Sequence, residues 1–328
     1  MRKMTFYFSV LICLLLLSGC TRSDQIFAMD TVITMEVTGS NADHALELAE
    51  EELLRLEQLL SIHGTNSEIR ALNDHASETV SDDIAELLLT AFDVSEKTNG
   101  AYDCTVEPVV DAWGWYDEPA VPAKDVLEAA LQQIGYEAVT IQNNAVSFSY
   151  GDMGIDLGGI AKGYSAGKLY DILRGAGIKS GILSLGGNIR AIGKKPNGQP
   201  WVVGIADPAQ PSSYLCTVSV IDTAVVTSGD YQRFFTESGT EYHHILDPQT
   251  GMPVKNGLHS VTVICDNDTL ADALSTALFV MGQDKAADFW RSGTYCFETV
   301  FLGDDGIFIT EGLKQCFSCQ TNYEVITR

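Results

Sequence analysis

The order of apolar and polar residues predicts strands at both ends of the chain and long helices between them. Residues 26–37 read as one strand, because the apolar Ile33, Met35 and Val37 alternate with polar neighbours as in a half-buried strand. Apolar residues then recur at helical spacing up to Ser61, after a cap at Asn41 or Asp43. The same criteria predict four further helices, over residues 83–97, 123–134, 161–174 and 269–281.

Strand-like segments occur between these helices and after them. They cover residues 139–150, 181–185, 201–205, 217–221, 259–265, 294–301 and 305–310. The chain has no repeat of fixed period, and no Pro- or Ser-rich linker follows residue 25. This arrangement predicts an α+β fold, a single domain with a mixed sheet and flanking helices, with two lobes as an open variant.

The first twenty residues have the pattern of a bacterial export signal. Arg2 and Lys3 precede an apolar run over residues 6–17, and Leu-Ser-Gly-Cys over 17–20 looks like a lipobox. The run is short for a membrane span, so an uncleaved anchor helix is the weaker alternative. We expect a signal peptide over 1–19, a palmitate-carrying lipidated Cys20, a tether over 20–26, and a domain over 27–328. That domain would sit on the extracytoplasmic side of the cell membrane.

Composition and charge limit the partners. The chain has 328 residues, of which 45% are hydrophobic, and its 20 basic and 44 acidic residues give a formal charge of −24. Loss of residues 1–19 removes two basic groups, which changes this charge to −26. Nucleic-acid binding depends on basic residues that neutralise phosphates, so we expect no nucleic-acid partner. A bound phosphate must instead be held locally, by backbone amides or a metal ion.

The 8 cysteines indicate no chemistry by themselves. Cys316 and Cys319 have the spacing of a redox motif, but no second pair completes a four-cysteine zinc site. We expect a structural role for them or none.

A glycine-rich segment between a strand and a helix is the first candidate site. Residues 156–164 read Asp-Leu-Gly-Gly-Ile-Ala-Lys-Gly-Tyr, and a helix start there offers free N–H groups and a positive dipole end to an anion. The segment matches neither the dinucleotide nor the P-loop fingerprint. A tight turn that only eases packing is an equal alternative, although Asp156 and Lys162 favour a ligand.

The last long helix carries the second candidate. Asp272 and Thr276 are four residues apart and share one face, with Ser275 adjacent. Hard oxygen donors of this kind suit Mg²⁺. The alternative is an Asp that the helix dipole stabilises beside a Thr bonded to its own backbone.

Two more segments add polar chemistry. His243 and His244 lead into an Asp-Pro turn, where a neutral imidazole near a diphosphate would serve as a general base. Thr227 and Ser228 supply hydroxyls in another segment. The aromatic residues of 100–103 and 113–115 could stack on a flat ring, although burial in a core is their commoner role.

Taken in order, these segments resemble the ApbE family of flavin transferases. The resemblance runs from residue 27 to about 282 and rests on Met-Asp-Thr at 29–31, Ser-Glu-Ile at 67–69 with Leu-Asn at 72–73, Gly-Ala-Tyr-Asp at 100–103 leading to Trp-Gly at 113–114, residues 156–164, Leu-Gly-Gly-Asn at 185–188, Thr-Ser-Gly at 227–229, the His-Ile-Leu-Asp-Pro segment from 244 with Thr-Gly at 250–251, and Ala-Asp at 271–272 with Thr276. It implies a T-fold-like ApbE domain. Asn188 departs from the Asp commonly found after Gly-Gly in the family, and we expect no chemical role there.

The resemblance also implies the site residues. The metal ligands would be the Gly159 carbonyl, Asp272, Ser275 and Thr276. The FAD contacts would be Met29, Ala101, Tyr102, Asp103, Asp156, Lys162, His244 and Ile245. His244 and Asp272 would be catalytic, with Asp247 orienting His244.

The implied reaction is a Mg²⁺-dependent transfer of FMN from the substrate FAD to a threonine of an acceptor flavoprotein, with release of AMP. The acceptor would be a redox-pump subunit or an FMN-binding domain. Three alternatives stay open: an FAD pyrophosphatase that gives FMN and AMP, a non-catalytic flavin-binding lipoprotein, and a structural adhesion module.

Overall fold

The structure is a computed structural model that describes residues 20–328. The strands of this part are β1 Thr21–Ala28, β2 Thr31–Thr38, β3 Ser77–Thr79, β4 Val139–Gln142, β5 Ala145–Phe148, β6 Ser180–Leu185, β7 Asn188–Gly193, β8 Trp201–Asp207, β9 Gln210–Val220, β10 Ala224–Gly229, β11 Phe234–Glu237, β12 Thr240–His243, β13 Leu258–Cys265, β14 Glu298–Gly303, β15 Gly306–Thr310, β16 Phe317–Cys319 and β17 Glu324–Ile326. Its α-helices are α1 Ala42–Leu60, α2 Glu68–His75, α3 Asp82–Lys97, α4 Glu107–Ala112, α5 Lys124–Leu131, α6 Ala161–Gly175, α7 Asp268–Met281 and α8 Gln283–Ser292.

A nine-stranded sheet forms the centre of the fold. Its order is β1-β2-β6-β7-β10-β13-β14-β15-β17. All neighbouring strands in it are antiparallel except β15 and β17, which are parallel. The sheet is therefore mixed and flanked by helices, which confirms the α+β prediction.

The two faces of this sheet are covered differently. On one face, α1 and α6 pack over the β2 and β6 end, where Ile33, Met35, Leu53 and Leu169 are fully buried in one hydrophobic cluster. The helix α7 packs on β10 and β13 and also against α6. The other face is covered in its centre by the small sheet β16-β9-β8. This layering places the first turns of α6 and α7 side by side above neighbouring strands.

Helical periodicity located the long helices closely. The predicted helices at 83–97, 161–174 and 269–281 correspond to α3, α6 and α7, and α1 occupies the segment after Asn41. The third helix is shorter than predicted, because α5 ends at Leu131. The short helices α2, α4 and α8 were not predicted.

The N-terminal strand differs from the prediction. Residues 26–37 form two strands instead of one, because Met29 and Asp30 adopt positive φ angles of 52° and 57° and reverse the chain. The segment predicted as a tether over 20–26 lies almost entirely in β1, which pairs with β2 from Thr21 onward. The tether prediction is therefore wrong. The predicted signal at 1–19 lies outside the described residues, and no helix within 20–328 is long and apolar enough to cross a bilayer.

The cysteine pair with redox spacing is split. Cys319 forms a disulfide with Cys216 across β16 and β9, at a Cα separation of 4.1 Å. Cys316 is a free thiol. The bond joins the C-terminal segment to the small sheet, so its role is structural, as expected.

Candidate active site

A cavity of about 340 Å³ opens where the central sheet splits. The pairing between β7 and β10 covers only two residue pairs and ends at Ile189 and Val225. Each strand continues beyond that point with its other neighbour, so a gap separates them. The cavity is lined by Met29, Asp30, Thr31, Ala101, Tyr102, Asp103, Val106, Val110, Trp115, Tyr116, Asp156, Gly158, Gly159, Lys162, Gly186, Asn188, Thr227, Ser228, Gln232, Arg233, His244, Ile245, Leu246, Pro248, Asp272 and Thr276.

Two tight turns form one rim of this cavity. The β1–β2 turn places Met29 at the rim, and the Met29 N–H donates to the Glu57 carboxylate at 2.7 Å. The β6–β7 turn contains Gly186 at φ 60°, and a Cβ there would lie 2.8 Å from the Thr31 hydroxyl. Only glycine lets these two turns pack against each other.

The start of α6 forms the second wall. Asp156 is buried, and its two carboxylate oxygens accept hydrogen bonds from the Tyr116 hydroxyl and the Gly158 N–H, both at 2.6 Å. Burial and the neighbouring Asp156 raise the pKa of Tyr116, which keeps it a donor. The N-cap residue of α6, Ile160, makes no side-chain cap, but the Asp272 carboxylate accepts the Gly163 N–H of this first turn. The Lys162 side chain extends from the same turn and lines the cavity.

The start of α7 forms the third wall and is locked to α6. The Asp272 carboxylate accepts a hydrogen bond from the Gly163 N–H at 2.7 Å. A Cβ on Gly163 would lie 2.3 Å from the Asp268 carbonyl, so only glycine allows this helix crossing. Within the described chain, the second Asp272 oxygen has no hydrogen-bond donor, and the residue lines the cavity.

Three hydroxyls next to Asp272 form a directed chain. Ser275 donates to the Asp272 carbonyl at 2.8 Å, so Ser228 must donate to Ser275, also at 2.8 Å. Thr276 then donates to Ser228 at 3.3 Å and keeps its oxygen lone pairs for the cavity. A Cβ on Gly159 would lie 3.3 Å from the Thr276 hydroxyl. The oxygen donors that the structure brings to this point are the Asp272 carboxylate and the Thr276 hydroxyl, and the Gly159 backbone lies beside them.

Ser275 differs from the other residues of the implied metal set. It is fully buried, it does not line the cavity, and its hydroxyl is used inside the chain of hydroxyls. Its position is that of a support for Asp272 and Thr276. Within residues 20–328, no three His, Cys, Asp or Glu side chains converge as a metal cluster.

His244 is held as a neutral base. Its Nδ1 lies 3.1 Å from the Arg233 carbonyl, and that contact requires a proton on Nδ1, which leaves the lone pair on Nε2. Burial lowers the pKa of His244 to about 4, and the positive charge of Lys162 contributes in the same direction. The imidazole is therefore unprotonated at neutral pH. Asp247 makes no hydrogen bond to it within the described chain; the Asp247 carboxylate accepts from the Gln249 N–H, and the Asp247 main-chain carbonyl accepts from the Gly251 N–H.

The residues of segment 101–103 are buried in the cavity wall. The Asp103 carboxylate is occupied by Thr105 at 2.7 and 2.8 Å and by the Tyr136 N–H at 3.2 Å, and burial raises its pKa. Its side chain thus holds the loop. The Tyr102 hydroxyl is buried, and the structure shows no hydrogen-bond partner for it among the described residues.

The two tryptophans have different roles. Trp113 is fully buried, and its indole N–H donates to the Gly251 carbonyl at 2.7 Å, so it belongs to the core. Trp115 lines the cavity and packs edge-on against His244 at 6.3 Å between ring centroids. Of the two tryptophans, only Trp115 therefore reaches the cavity wall, where it is 3% exposed.

The cavity is acidic apart from two cations. Asp30, Asp103, Asp156 and Asp272 line it, against Lys162 and Arg233. The Arg233 guanidinium donates to the Trp115 carbonyl and lies over the Tyr116 ring. An anionic ligand therefore meets few fixed positive charges and would need a cation of its own.

The structure brings together nearly all of the site residues implied by the sequence. Met29, 101–103, Asp156, Gly159, Lys162, His244, Ile245, Asp272 and Thr276 all line the one cavity. The sequence does not identify Tyr116, Arg233 or Gln232 as cavity residues, and no chemical role is expected for Asn188. Arg233 precedes a strand and belongs to none of the motifs.

A larger open groove of about 990 Å³ lies on the other side of residues 230–234. His243, Asp230 and His259 line it, and His259 bridges Asp230 and Asp304 at 2.9 and 3.2 Å. Within the described chain, none of the site residues implied by the sequence lines this groove. The chemistry is concentrated in the smaller cavity.

Comparison with known proteins gives one consistent result. The model of the ApbE family matches residues 29–300. An FAD:protein FMN transferase of Treponema pallidum is 35% identical over 285 residues, which cover 81% of this chain and 76% of that protein. One from Vibrio cholerae is 32% identical over 309 residues, with 89% and 92% covered.

Solved structures agree. The ApbE protein from Thermotoga maritima superposes with a TM-score of 0.84 at 34% identity, over 90% of this chain and 99% of that one. The flavin transferase ApbE from Vibrio cholerae superposes with a TM-score of 0.81 at 28% identity, over 90% and 100% of the two chains.

Proposed function

Because the chain belongs to the ApbE family, we propose that it transfers FMN from FAD to a threonine hydroxyl of an acceptor protein and releases AMP. The observation that carries the proposal is the combination in one cavity of the neutral base His244, the oxygen donors around Asp272, and Lys162 at a helix start. A base, an anion site and a cation site are what the transfer of a phosphoryl group to a hydroxyl requires.

The residues of this chain divide the work as follows. Nε2 of His244 takes the proton of the acceptor hydroxyl, and the oxygen attacks the phosphorus of the FMN half of FAD. A P–O bond forms to the acceptor, and the bond from that phosphorus to the AMP phosphate oxygen breaks. Lys162, in the first turn of α6, stabilises the diphosphate by its positive charge. Trp115 and Tyr116 provide apolar surface for the aromatic parts of the dinucleotide.

We further propose that Mg²⁺ binds at the Asp272 carboxylate, the Thr276 hydroxyl and the Gly159 carbonyl, supported by Ser275. The free oxygens of Asp272 and Thr276 fit this hard cation, and the small protein ligand set leaves positions for water and phosphate oxygens. When bound, the cation neutralises charge on the diphosphate and the departing AMP.

The proposal extends to the location of the protein and to its acceptor. We propose that Cys20 is lipidated and holds the domain on the extracytoplasmic side of the cell membrane. The acceptor would be a redox-pump subunit or an FMN-binding domain that displays a threonine. Support for the anchor comes from the Leu-Ser-Gly-Cys segment at 17–20.

One incubation tests the reaction. The purified chain with FAD, Mg²⁺ and a candidate acceptor should yield a fluorescent acceptor whose mass increases by one FMN. Free FMN and AMP without a labelled acceptor would identify an FAD pyrophosphatase. Bound but unchanged FAD in the presence of metal would identify a flavin-binding protein.

A further inference from the structure

The gap between β7 and β10 ends in an amide that has no protein partner. Asn188 is the first residue of β7, and it adjoins Ile189, the last residue of β7 that pairs with β10. It is 3% exposed, lines the cavity, and its side-chain nitrogen is buried with no hydrogen-bond partner in the described chain. The neighbouring Gln232 is different, because its amide donates to the Thr227 carbonyl of β10 at 3.3 Å.

An unpartnered buried amide is costly. Removal of an N–H group from water without a replacement hydrogen bond destabilises a fold, and more than nine in ten buried polar groups are paired. A polar residue at the wall of a ligand cavity can obtain this missing bond from the ligand. Asn188 thus has the features of a residue that is completed by binding.

The position of Asn188 identifies the part of the ligand that it meets. Side chains alternate along β7, so Asn188 shares the face of Arg190, whose guanidinium contacts the Asp268 side chain at the start of α7 at 3.0 Å. The helix α6 packs on β7, and α7 packs on β10. Asn188 therefore lies below the first turns of the two helices, at the end of the cavity that holds Lys162 and Asp272.

We propose that the Asn188 side-chain amide donates a hydrogen bond to the diphosphate of FAD, which makes it a further substrate-contacting residue. The inference rests on the proposed function. Its chemical basis is that an uncharged donor adds to the few cations of this acidic cavity. A carboxylate at the same point would repel the diphosphate, so the choice of amide over acid matters at this position.

Binding measurements with three variants of the full chain test the proposal. Asn188→Leu keeps the shape and removes the donor, Asn188→Asp replaces the donor by a charge, and Asn188→Ser keeps a short donor. Because a hydrogen bond to a charged group contributes strongly to binding, Asn188→Leu should weaken FAD binding about 10-fold or more. Asn188→Asp should weaken it further, and Asn188→Ser less. Riboflavin, which has no phosphate, should bind all variants as it binds wild type.

Thermal unfolding without ligand separates this role from a structural one. Asn188→Leu replaces an unpaired amide by an apolar group of the same shape, so the ligand-free midpoint should stay the same or rise while FAD affinity falls. A structural amide would give a lower midpoint. The matched control is Ser180→Ala, which removes an unpaired buried hydroxyl at the far end of the same hairpin and should leave FAD binding unchanged.

Several results would overturn the inference. The first is an Asn188→Leu variant that binds FAD with wild-type affinity. The second is an Asn188→Asp variant that binds FAD as tightly as wild type or more tightly. The third is an equal loss of affinity for riboflavin and for FAD. A raised KM for the acceptor with unchanged FAD affinity would assign the amide to the acceptor instead. If wild type binds FAD but never labels an acceptor, the proposed transfer fails, whereas the comparison of FAD with riboflavin still decides the role of Asn188.

Discussion

Replacement of His244 by glutamine tests the catalytic base and its environment together. Glutamine can still donate to the Arg233 carbonyl, as the Nδ1–H does now, but it has no basic lone pair at the position of Nε2. We expect FMN transfer to fall about 10²- to 10⁴-fold, the usual contribution of a general base. In wild type, kcat/KM should decline on the acid side as the pH approaches the pKa of about 4.

The same replacement changes the pH dependence of stability. Burial lowers the folded-state pKa of His244 from 6.5 to about 4. Between these two values the unfolded chain binds the proton and the folded chain does not, so wild type loses stability as the pH falls from 6.5 towards 4. At about 1.4 kcal/mol per pH unit, the loss is at most about 3 kcal/mol, less where cavity water screens the ring. Glutamine does not titrate and removes this loss.

Urea unfolding at pH 7, 6, 5 and 4.5 measures the effect as the difference between wild type and His244→Gln. The control is His243→Gln. Burial also lowers the pKa of His243, so the difference in stability between wild type and His243→Gln should change with pH in the same direction. His243 lines the outer groove, however, and its variant should keep FMN transfer. A stability difference for His244→Gln that does not change with pH, or a variant that transfers FMN at the wild-type rate, would refute the reasoning.

Three further predictions concern the helix crossing, the metal and the N-terminus. Gly163→Ala should lower stability by about 1–3 kcal/mol in urea unfolding, because its Cβ would overlap the Asp268 carbonyl; FAD and Mg²⁺ binding should weaken too, and a variant of wild-type stability would contradict the contact. Asp272→Asn should leave the fold and the 2.7 Å bond geometry intact but remove the metal dependence of transfer, measured by titration with Mg²⁺; an unchanged titration curve would exclude Asp272 as a ligand. Cys20→Ser should move the protein from the membrane to the soluble exported fraction in fractionation experiments, and continued membrane attachment would exclude the lipid anchor.

The limits of sequence reasoning are visible in individual elements. The helices α1 and α6 were found because each buries one face at helical spacing. The break between β1 and β2 was missed because Met29 and Asp30 reverse the chain without a glycine or proline, and strand-forming apolar residues occur on both sides of them. The tether was misplaced for a related reason, since polar residues on an edge strand look like a linker.

The site shows the same division. Residues within one motif, such as Asp272 and Thr276, could be paired from helix spacing alone. Arg233 and Asn188 reach the cavity through strand pairing over long sequence distances, which no local pattern reports. Proximity in sequence also misled: Asp247 is three residues from His244, yet the group that orients the imidazole is the Arg233 carbonyl.

The architecture explains why transfer and hydrolysis of FAD are so close chemically. The groups proposed to meet the diphosphate come from α6, α7 and the sheet, which are fixed to each other by the Asp272 contact with Gly163 and by the hydroxyls from Ser228 to Ser275. Such a rigid site stabilises the same transition state whether the attacking oxygen belongs to a protein or to water. The outcome then depends on how well a docked threonine hydroxyl is positioned beside His244 Nε2 relative to water in the open cavity, since orientation can supply several kcal/mol of the barrier. A variant that loosens acceptor docking without touching these groups should therefore convert transfer into FAD hydrolysis rather than abolish turnover.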